Sequence, residues 1–290
     1  MSGHLPNFLV IGAMKCATSS LALYLSRHPD IFIAYRKEVN FFSSDHNWKK
    51  GLNWYRSHFP SSAKTRGDVS PSYSHLTKFP NASERIYQTI PNAKLIYILR
   101  EPVSRSISNY IHEYAGNKED RPIEEALRVH ENNAYLKRSQ YSKQLEPYLR
   151  YFSLENILIL TAEELKGDCQ ETLKKAFSFL EVDPNYQDKL FQIQIHRSSM
   201  KRRKTRLGVS VSKYLPPKIF RKIPSFIGYP LQLALYWPLS RKVEPPQLTA
   251  EHREELEAYF SADVKRLKKL TGQSFNLWPQ YQPSDEAAIR

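Results

Sequence analysis

Short apolar runs alternate along this chain with longer segments in which apolar residues recur every three or four positions. The runs at residues 8–13, 94–100 and 156–161 predict buried β-strands. The longer segments predict helices at residues 18–27, 84–89, 141–151, 170–180 and 249–270, and Pro102 suits the first position of a further helix. This alternation is typical of an α/β fold. Such a fold has a parallel sheet covered by helices on both faces, with functional sites at the carboxyl ends of the strands.

Residues 195–246 interrupt the alternation. They carry a dense basic run at residues 197–206 and then a proline-punctuated apolar stretch, residues 226–239, between lysines and arginines. We predict that residues 195–246 form a loop or lid inserted in a single domain of residues 1–290. The apolar stretch is too short to cross a bilayer, and we expect it to pack on the core. The alternatives are that residues 213–242 lie on an anionic membrane surface or border the entrance for an amphipathic substrate.

The charge balance narrows the range of partners. The 290 residues include 43 Lys and Arg against 29 Asp and Glu, which leaves a net charge of +14. This excess predicts an anionic partner: a nucleotide, a sulfated or phosphorylated substrate, a nucleic acid or a lipid headgroup. The two cysteines, Cys16 and Cys169, are too few for a disulfide framework or a cysteine-based zinc site. This cysteine usage fits a reducing compartment. Because no basic and apolar signal segment opens the sequence, we expect a cytoplasmic protein.

The first predicted strand leads into a loop of small residues that opens a helix, Gly12-Ala-Met-Lys-Cys-Ala-Thr-Ser-Ser20. Backbone N–H groups in such a turn, together with the helix N-terminus, form a cradle for an anion. The loop lacks the final Gly-Lys-Ser/Thr of a Walker A motif, which counts against a nucleoside-triphosphate kinase. The alternative interpretation is a packing turn with an exposed lysine.

A second motif follows the strand predicted at residues 94–100. Arg100 leaves the strand and Ser108 lies on the next helix, so both side chains can bind one phosphate through charge-assisted hydrogen bonds. The alternative is an ion pair between Arg100 and Glu101, with Ser108 on a solvated helix face.

With both motifs in this order, the sequence resembles the sulfotransferases that use 3′-phosphoadenosine 5′-phosphosulfate (PAPS). It is most similar to bacterial members related to heparan sulfate sulfotransferases. The resemblance extends over most of the chain and includes Arg36-Lys-Glu-Val-Asn-Phe-Phe42, Gly51-Leu-Asn-Trp-Tyr55, Gly67-Asp-Val-Ser-Pro-Ser-Tyr73 and Ser139-Gln-Tyr141. It implies a fold like that of P-loop kinases, and sulfuryl transfer from PAPS to a hydroxyl group with release of 3′,5′-ADP and no metal requirement.

The resemblance also assigns residues to the co-substrate. Lys15 would contact the oxygen that bridges the sulfuryl group and the phosphate. It would therefore take part in both binding and catalysis. Arg100 and Ser108 would bind the 3′-phosphate. The rest of the first loop and the basic run would complete the nucleotide site with Cys16, Ala17, Thr18, Ser19, Ser20, Lys201, Arg202 and Arg203. Basic runs of this kind also occur on solvated faces and in nucleic-acid-binding patches.

Glu38 matches the general base of the heparan-type branch, which takes the proton of the acceptor hydroxyl. The alternative for Glu38 is a surface salt bridge with Arg36 or Lys37. Two positions depart from the family pattern, since Asn40 stands where relatives often have histidine and Val69 where some have lysine. Asn40 counts against a Glu/His pair at the base, and Val69 indicates a different acceptor pocket. Its expected residues are Lys37, Asn40, Ser70, Tyr73, His75 and His112, and the alternative bases are His46, His75 and His112.

The acceptor is left open by these motifs, because a carbohydrate, a glycolipid or another small molecule needs the same base and the same co-substrate. We expect no nucleic-acid partner. Two rival functions are a metal-dependent nucleotide kinase of related fold and a non-enzymatic nucleic-acid binder that uses residues 201–206.

Overall fold

A five-stranded parallel sheet forms the centre of the fold. The computed structural model describes residues 3–34, 36, 38–59, 63–192, 201–215 and 235–282. The strands are β1 (Phe8–Gly12), β2 (Ile31–Ile33), β3 (Thr65–Val69), β4 (Lys94–Leu99) and β5 (Ile157–Thr161). They lie in the order β2-β3-β1-β4-β5, and every neighbouring pair is parallel.

Helices follow most of the strands. They are α1 (Thr18–Leu25), α2 (Asp45–Trp48), α3 (Gly51–Arg56), α4 (Ala82–Thr89), α5 (Pro102–Ala115), α6 (Ile123–Ala126), α7 (Ala134–Lys137), α8 (Tyr141–Leu149), α9 (Ala162–Gly167) and α10 (Cys169–Phe179). Towards the C-terminus, α11 (Arg206–Tyr214) and the long α12 (Ala250–Thr271) complete the set among the described residues.

Both faces of the sheet are covered. Phe8 and Val10 of β1 pack with α1, α9 and α10 on one face, and Leu9 and Ile11 pack with α4, α5, α8 and α12 on the other. Because neighbouring residues of β1 are buried on opposite faces, the strand is apolar without interruption. Gly67 of β3 allows β3 to pack closely against β1, since a Cβ there would lie 2.1 Å from the ring of Phe8.

The α/β class and the parallel sheet predicted from the sequence are confirmed. The three predicted strands and the predicted helices are present, with ends displaced by up to two residues. The sequence prediction missed β2 and β3. β2 has only three residues, and β3 carries the polar Arg66 and Asp68 within its span.

Residues 201–204 and 240–242 differ from the loop predicted over residues 195–246. They form two antiparallel strands, β6 (Arg202–Lys204) and β7 (Ser240–Lys242), and α11 follows β6 directly. These residues are therefore strand rather than irregular loop. Most of the apolar stretch at residues 226–239 lies outside the described residues. No helix within the described ranges is both long and apolar enough to span a membrane.

The β6–β7 pair docks on the end of α5. Asn117 Nδ2 donates to the carbonyl of Lys204 at 3.0 Å, and the Arg203 guanidinium donates to the carbonyl of Glu119 at 2.9 Å. These contacts bring the residue that precedes β6, Lys201, to the carboxyl edge of the central sheet.

Candidate active site

A cleft of about 850 Å³ opens at the carboxyl edge of the sheet, between the loops that follow β1, β2, β3 and β4. Among its described lining residues, seven cationic side chains face three carboxylates, so the cleft is strongly positive. Eleven residues predicted from the sequence line this one cleft. They are Lys15, Ala17, Thr18, Ser19, Ser20, Glu38, Asn40, His75, Arg100, Ser108 and His112.

The loop after β1 has the backbone of an anion cradle. Lys15 and Ala17 have φ angles of 75° and 61°, in the left-handed region that side chains other than glycine rarely adopt. Such conformations cost roughly 1–3 kcal/mol each and concentrate at ligand-binding loops. Ala17 caps α1 without a side-chain hydrogen bond, and the first turn of the helix lines the cleft. The first-turn N–H groups and the helix dipole favour an anion there.

Three cations meet beside this cradle. Lys201 Nζ is buried without a hydrogen-bond partner in the described part of the chain. Burial, and after it the charge of Lys15, lower the pKa of Lys201 to about 7. Burial also lowers the pKa of Lys15, and Arg100 adds to that shift. None of the three forms an ion pair with a described carboxylate. The charge of Glu113 acts on Lys201, but that carboxylate pairs with Lys118, so no described carboxylate forms an ion pair with the cluster.

Arg100 does not form the ion pair with Glu101 that was the alternative interpretation of this motif. The Glu101 carboxylate instead caps α5, accepting from the backbone N–H groups of Val103 and Ser104 at 2.8 and 2.7 Å. The carbonyl of Arg100 accepts from Tyr141 OH at 2.7 Å, which fixes the end of β4. Ser108, two turns into α5, is nearly buried and lines the same cleft.

Glu38 and Asn40 lie on the loop after β2, and both have left-handed backbones, with φ of 57° and 53°. Glu38 is exposed at the cleft and forms no ion pair with Arg36 or any other described residue, whereas Lys37 lies outside the described residues. Asn40 accepts a hydrogen bond from Ser72 Oγ at 2.6 Å. The loop therefore presents a carboxylate to the cleft on a fixed backbone.

A buried carboxylate, Asp68 of β3, holds this loop. It accepts hydrogen bonds from the hydroxyls of Tyr55, Ser70 and Tyr73 at 2.9, 2.7 and 2.6 Å. Ser70 Oγ and Tyr73 OH in turn accept from the backbone N–H groups of the loop, those of Asn40 and Phe41, both at 3.0 Å. Burial raises the pKa of Asp68, and the three hydroxyls oppose that shift.

Two residues expected at the acceptor, Ser70 and Tyr73, do not line the cleft. Ser70 and Tyr73 are fully buried and outside the cleft, because their hydroxyls are engaged with Asp68 and the loop backbone. The neighbouring Ser72 and Ser74 line the cleft instead. A Cβ at Gly12 would lie 2.0 Å from Ser74 Oγ, so glycine is required where the β1 loop passes this segment.

Three residues expected at the nucleotide, Cys16, Arg202 and Arg203, do not line the cleft either. The Cys16 N–H donates to the carbonyl of Ala13 at 3.1 Å, and the thiol is buried 3.6 Å from Tyr141 OH. Arg202 lies over the Trp237 ring, 4.0 Å from its centroid. Arg203 lies 3.8 Å from the centroid of Tyr114 and pairs with Asp120. Within the described part of the basic run, Lys201 is the residue that lies close enough to Lys15 and Arg100 for their charges to lower its pKa.

The histidines are weaker candidates for a base than Glu38. His46 is exposed on α2 and does not line the cleft. His75 accepts a hydrogen bond from Arg138 Nε at 3.2 Å, and burial together with the charges of Arg138 and Lys78 lowers its pKa to about 4. Burial and the charge of Lys15 lower the pKa of His112.

Among the residues of the cleft that sequence reasoning missed are Lys78, Arg105, Asn109 and Arg138. Arg105 lies three residues before Ser108 and four residues before Asn109 on α5, so helical spacing from Ser108 was a signal that could have found Arg105 and, through it, Asn109. Arg138 follows α7 and directly precedes the recognised segment Ser139-Gln-Tyr141, which was the sequence signal that could have found it.

Comparison with known proteins was made on sequence and on structure. Residues 5–268 match the family model described as the sulfotransferase domain. Heparan sulfate glucosamine 3-O-sulfotransferase 5 of Mus musculus is 31% identical over 193 residues, covering 62% of this chain and 55% of that protein. A bifunctional heparan sulfate N-deacetylase/N-sulfotransferase 4 of Mus musculus is 32% identical over 209 residues, covering 63% and 23%. The chain therefore spans about half the length of the first relative and about a quarter of the length of the second.

Among solved structures, a sulfotransferase from Alicyclobacillus acidocaldarius superposes with a TM-score of 0.66 at 25% identity, covering 95% of this chain and 99% of that one. The family, the fold class and the class of enzyme predicted from the motifs are confirmed by this likeness and by the family match over residues 5–268. The chain belongs to the sulfotransferase domain family.

Proposed function

We propose that the chain transfers a sulfuryl group from PAPS to a hydroxyl group of an acceptor and releases 3′,5′-ADP. The observation that carries this proposal is the cluster of Lys15, Arg100 and Lys201 beside the cradle at the N-terminus of α1. Like charges at close range, partly out of water, destabilise one another unless an anion neutralises them. The phosphosulfate of PAPS carries the charge that this cluster lacks.

The residues present fit PAPS at both of its ends. The β1 loop, Thr18 and Lys15 would hold the 5′-phosphosulfate, and Arg100 with Ser108 would hold the 3′-phosphate. PAPS supplies a sulfuryl group already bonded to a phosphate that can leave. Lys15 stabilises the negative charge that grows on that phosphate during transfer, and Lys201 adds a second positive charge.

On the other side of the cleft, Glu38 accepts the proton of the attacking hydroxyl. Its loop is suited to this role because Asp68, Ser70 and Tyr73 hold the backbone that follows it. A base held in place raises the rate without the cost of ordering it in each cycle.

The first candidate for the acceptor is a carbohydrate, because the names of the similar proteins specify heparan sulfate and, for one of them, glucosamine. Glycolipids and other small hydroxyl compounds are the next candidates. We place the protein in the cytoplasm, which the two unpaired cysteines support. Peripheral membrane contact through residues 213–242 stays a prediction, since most of that segment lies outside the described residues. The single domain with a lid stays a prediction as well.

Arg100→Ala tests the proposed nucleotide site. Hydrogen bonds to charged groups contribute about 1.5–3 kcal/mol, so the affinity for 3′,5′-ADP should fall by roughly 10- to 150-fold in calorimetric titrations. Binding of adenosine 5′-monophosphate, which lacks the 3′-phosphate, should hardly change. Lys118→Ala, which removes an exposed cation at the rim, serves as the control. Equal losses for both nucleotides would remove Arg100 from the 3′-phosphate site.

The affinity for 3′,5′-ADP should also depend on pH through Lys201. In the free protein its pKa is lowered to about 7, and an anion nearby raises it. Binding should therefore be strongest below about pH 7 and weaken as pH rises above it, by at most about ten-fold per pH unit. Lys201→Arg should flatten this profile, because arginine stays protonated. A wild-type affinity that is constant from about pH 6 to about pH 9 would contradict the account of Lys201.

A further inference from the structure

The small unit of β6, α11 and β7 carries the most exposed large apolar side chains of the described residues. Tyr214 is 90% exposed, Leu207 71% and Trp237 59%. Elsewhere in the described chain no large apolar side chain exceeds the 53% of Leu277. Single exposed apolar residues are ordinary on a protein surface, but several concentrated in one small unit mark a contact site.

Helix α11 arranges apolar and basic side chains in two parallel stripes. Leu207 and Tyr214 are two turns apart, so they fall on the same side of the helix. Arg206 and Lys213 each precede one of them and form the neighbouring stripe. The opposite side faces the unit at Gly208, where a Cβ would lie 2.3 Å from a backbone oxygen of the segment before β7. The two stripes are therefore turned outwards.

Trp237 is fixed beside α11. The Arg202 guanidinium lies 4.0 Å from the centroid of the Trp237 ring and donates to the Trp237 carbonyl at 3.0 Å. The neighbouring Tyr236 donates from its hydroxyl to the carbonyl of Leu215, directly after α11. An exposed tryptophan and an exposed tyrosine thus lie on one ordered unit, and these two residue types concentrate at the boundary between lipid chains and headgroups.

A basic groove of about 1140 Å³ continues this surface between α11, β7 and the end of α5. Its carboxylates among the described residues are Asp120, which pairs with Arg203, and Glu244. Four cations of the groove and of α11 are exposed and form no ion pair with a described carboxylate: Arg206, Lys213, Arg241 and Lys242. The apolar stripe is therefore bordered by unpaired positive charge.

We propose that residues 206–214 and 236–242, the α11 surface, dock the protein on an anionic lipid bilayer. Leu207, Tyr214 and Trp237 enter the interface, and the four cations meet the headgroups, so apolar burial and charge attraction act together. This extends the contact predicted for residues 213–242 to the outer side of α11. A second copy of the chain fits less well, because a two-fold interface would set the same cations against one another.

Docking at the α11 surface would bring the cleft close to the lipid. Tyr114 and Asn117, at the end of α5, line the basic groove, whereas Glu113 and Lys118 from the same turn line the cleft. The unit also supplies Lys201 to the cleft cations. A docked protein would therefore meet acceptors carried by the membrane. That consequence rests on the proposed function, but the docking itself does not.

Flotation of the full chain with lipid vesicles tests the docking. Vesicles of phosphatidylcholine alone are compared with vesicles of equal parts phosphatidylcholine and phosphatidylglycerol. Wild-type protein should bind the anionic vesicles about ten-fold or more tightly, and added salt should weaken that binding. Leu207→Ser combined with Tyr214→Ser should lower the affinity by about ten-fold or more, because the apolar anchors are lost. The affinity for 3′,5′-ADP and the melting temperature should stay near wild type.

Leu277→Ser combined with Tyr87→Ser is the matched control, since it removes the same residue types from exposed positions elsewhere and should leave vesicle binding unchanged. A second readout does not depend on weakened binding. Brominated phosphatidylglycerol should quench the fluorescence of Tyr214→Trp more strongly than that of Tyr87→Trp, because the first probe enters the lipid.

Equal binding of neutral and anionic vesicles, or binding of neither, would overturn the proposal. An equal loss in the control and in Leu207→Ser with Tyr214→Ser would overturn it as well. A dimer seen by analytical ultracentrifugation, split by the latter variant and without vesicle binding, would assign the surface to a second copy instead. Binding of heparin without vesicle binding would assign it to a soluble polyanion. None of these measurements depends on sulfuryl transfer, so failure of the proposed function is distinguishable.

Discussion

Glu38→Gln should lower the rate of sulfuryl transfer by about 10²- to 10⁴-fold, the usual contribution of a general base. The substitution keeps the size of the side chain and removes its ability to take a proton. Because Glu38 forms no ion pair with a described residue, its replacement should leave the fold intact. The measurement is the initial rate with PAPS and any acceptor that the wild-type protein labels. Calorimetry should show unchanged affinity for 3′,5′-ADP.

Glu113→Gln is the matched control, since Glu113 is another carboxylate that lines the cleft. Its loss removes the same charge but no proposed base, and the rate should fall by less than about ten-fold. If Glu38→Gln kept most of the activity, the base would have to be His75 or His112. Both have lowered pKa values and line the cleft, whereas His46 does not.

Lys15→Ala should lower the rate by about 10²- to 10³-fold, comparable to the loss of one charge-stabilising donor in other enzymes. Lys15 lies in the strained loop after β1 and meets the bound anion in both the ground state and the transition state. Affinity for 3′,5′-ADP should therefore fall as well, but by less than the rate. Single-turnover kinetics with saturating PAPS separate the two effects.

Lys118→Ala again provides the comparison, because it removes a cleft cation that is already paired with Glu113. If Lys15→Ala and Lys118→Ala lowered the rate equally, Lys15 would act only through the general positive charge of the cleft. That result would contradict its role at the leaving phosphate.

The parts of the fold that the sequence predicts are those fixed by local pattern. β1, β4 and β5 are buried on both faces, so each shows as an apolar run. β3 does not, because its Asp68 is buried as the acceptor of three hydroxyl groups rather than as an apolar side chain. A buried polar network of this kind depends on residues distant in sequence, and no window along the chain reveals it.

The candidate site, too, was predicted where its residues form short contiguous motifs and missed where tertiary packing places them. The β1 loop and the Arg100 and Ser108 pair are short contiguous motifs, and the structure brings them to one cleft. Ser70 and Tyr73 fall within a recognised segment, yet their side chains point to the core while those of Ser72 and Ser74 point to the cleft. Arg138 comes from the residue after α7 and reaches the site only through tertiary packing.

Transfer of radioactive sulfur from PAPS tests the central claim most directly. Wild-type protein, Glu38→Gln and Lys15→Ala are incubated with labelled PAPS and separate pools of carbohydrates, lipids and phenols, with and without EDTA. We predict that wild-type protein labels an acceptor with equal release of 3′,5′-ADP, that EDTA has no effect, and that both variants lose most of the transfer. The account would be contradicted if no pool were labelled while the protein moved phosphate from ATP in an EDTA-sensitive reaction, or bound DNA with a steep salt dependence instead.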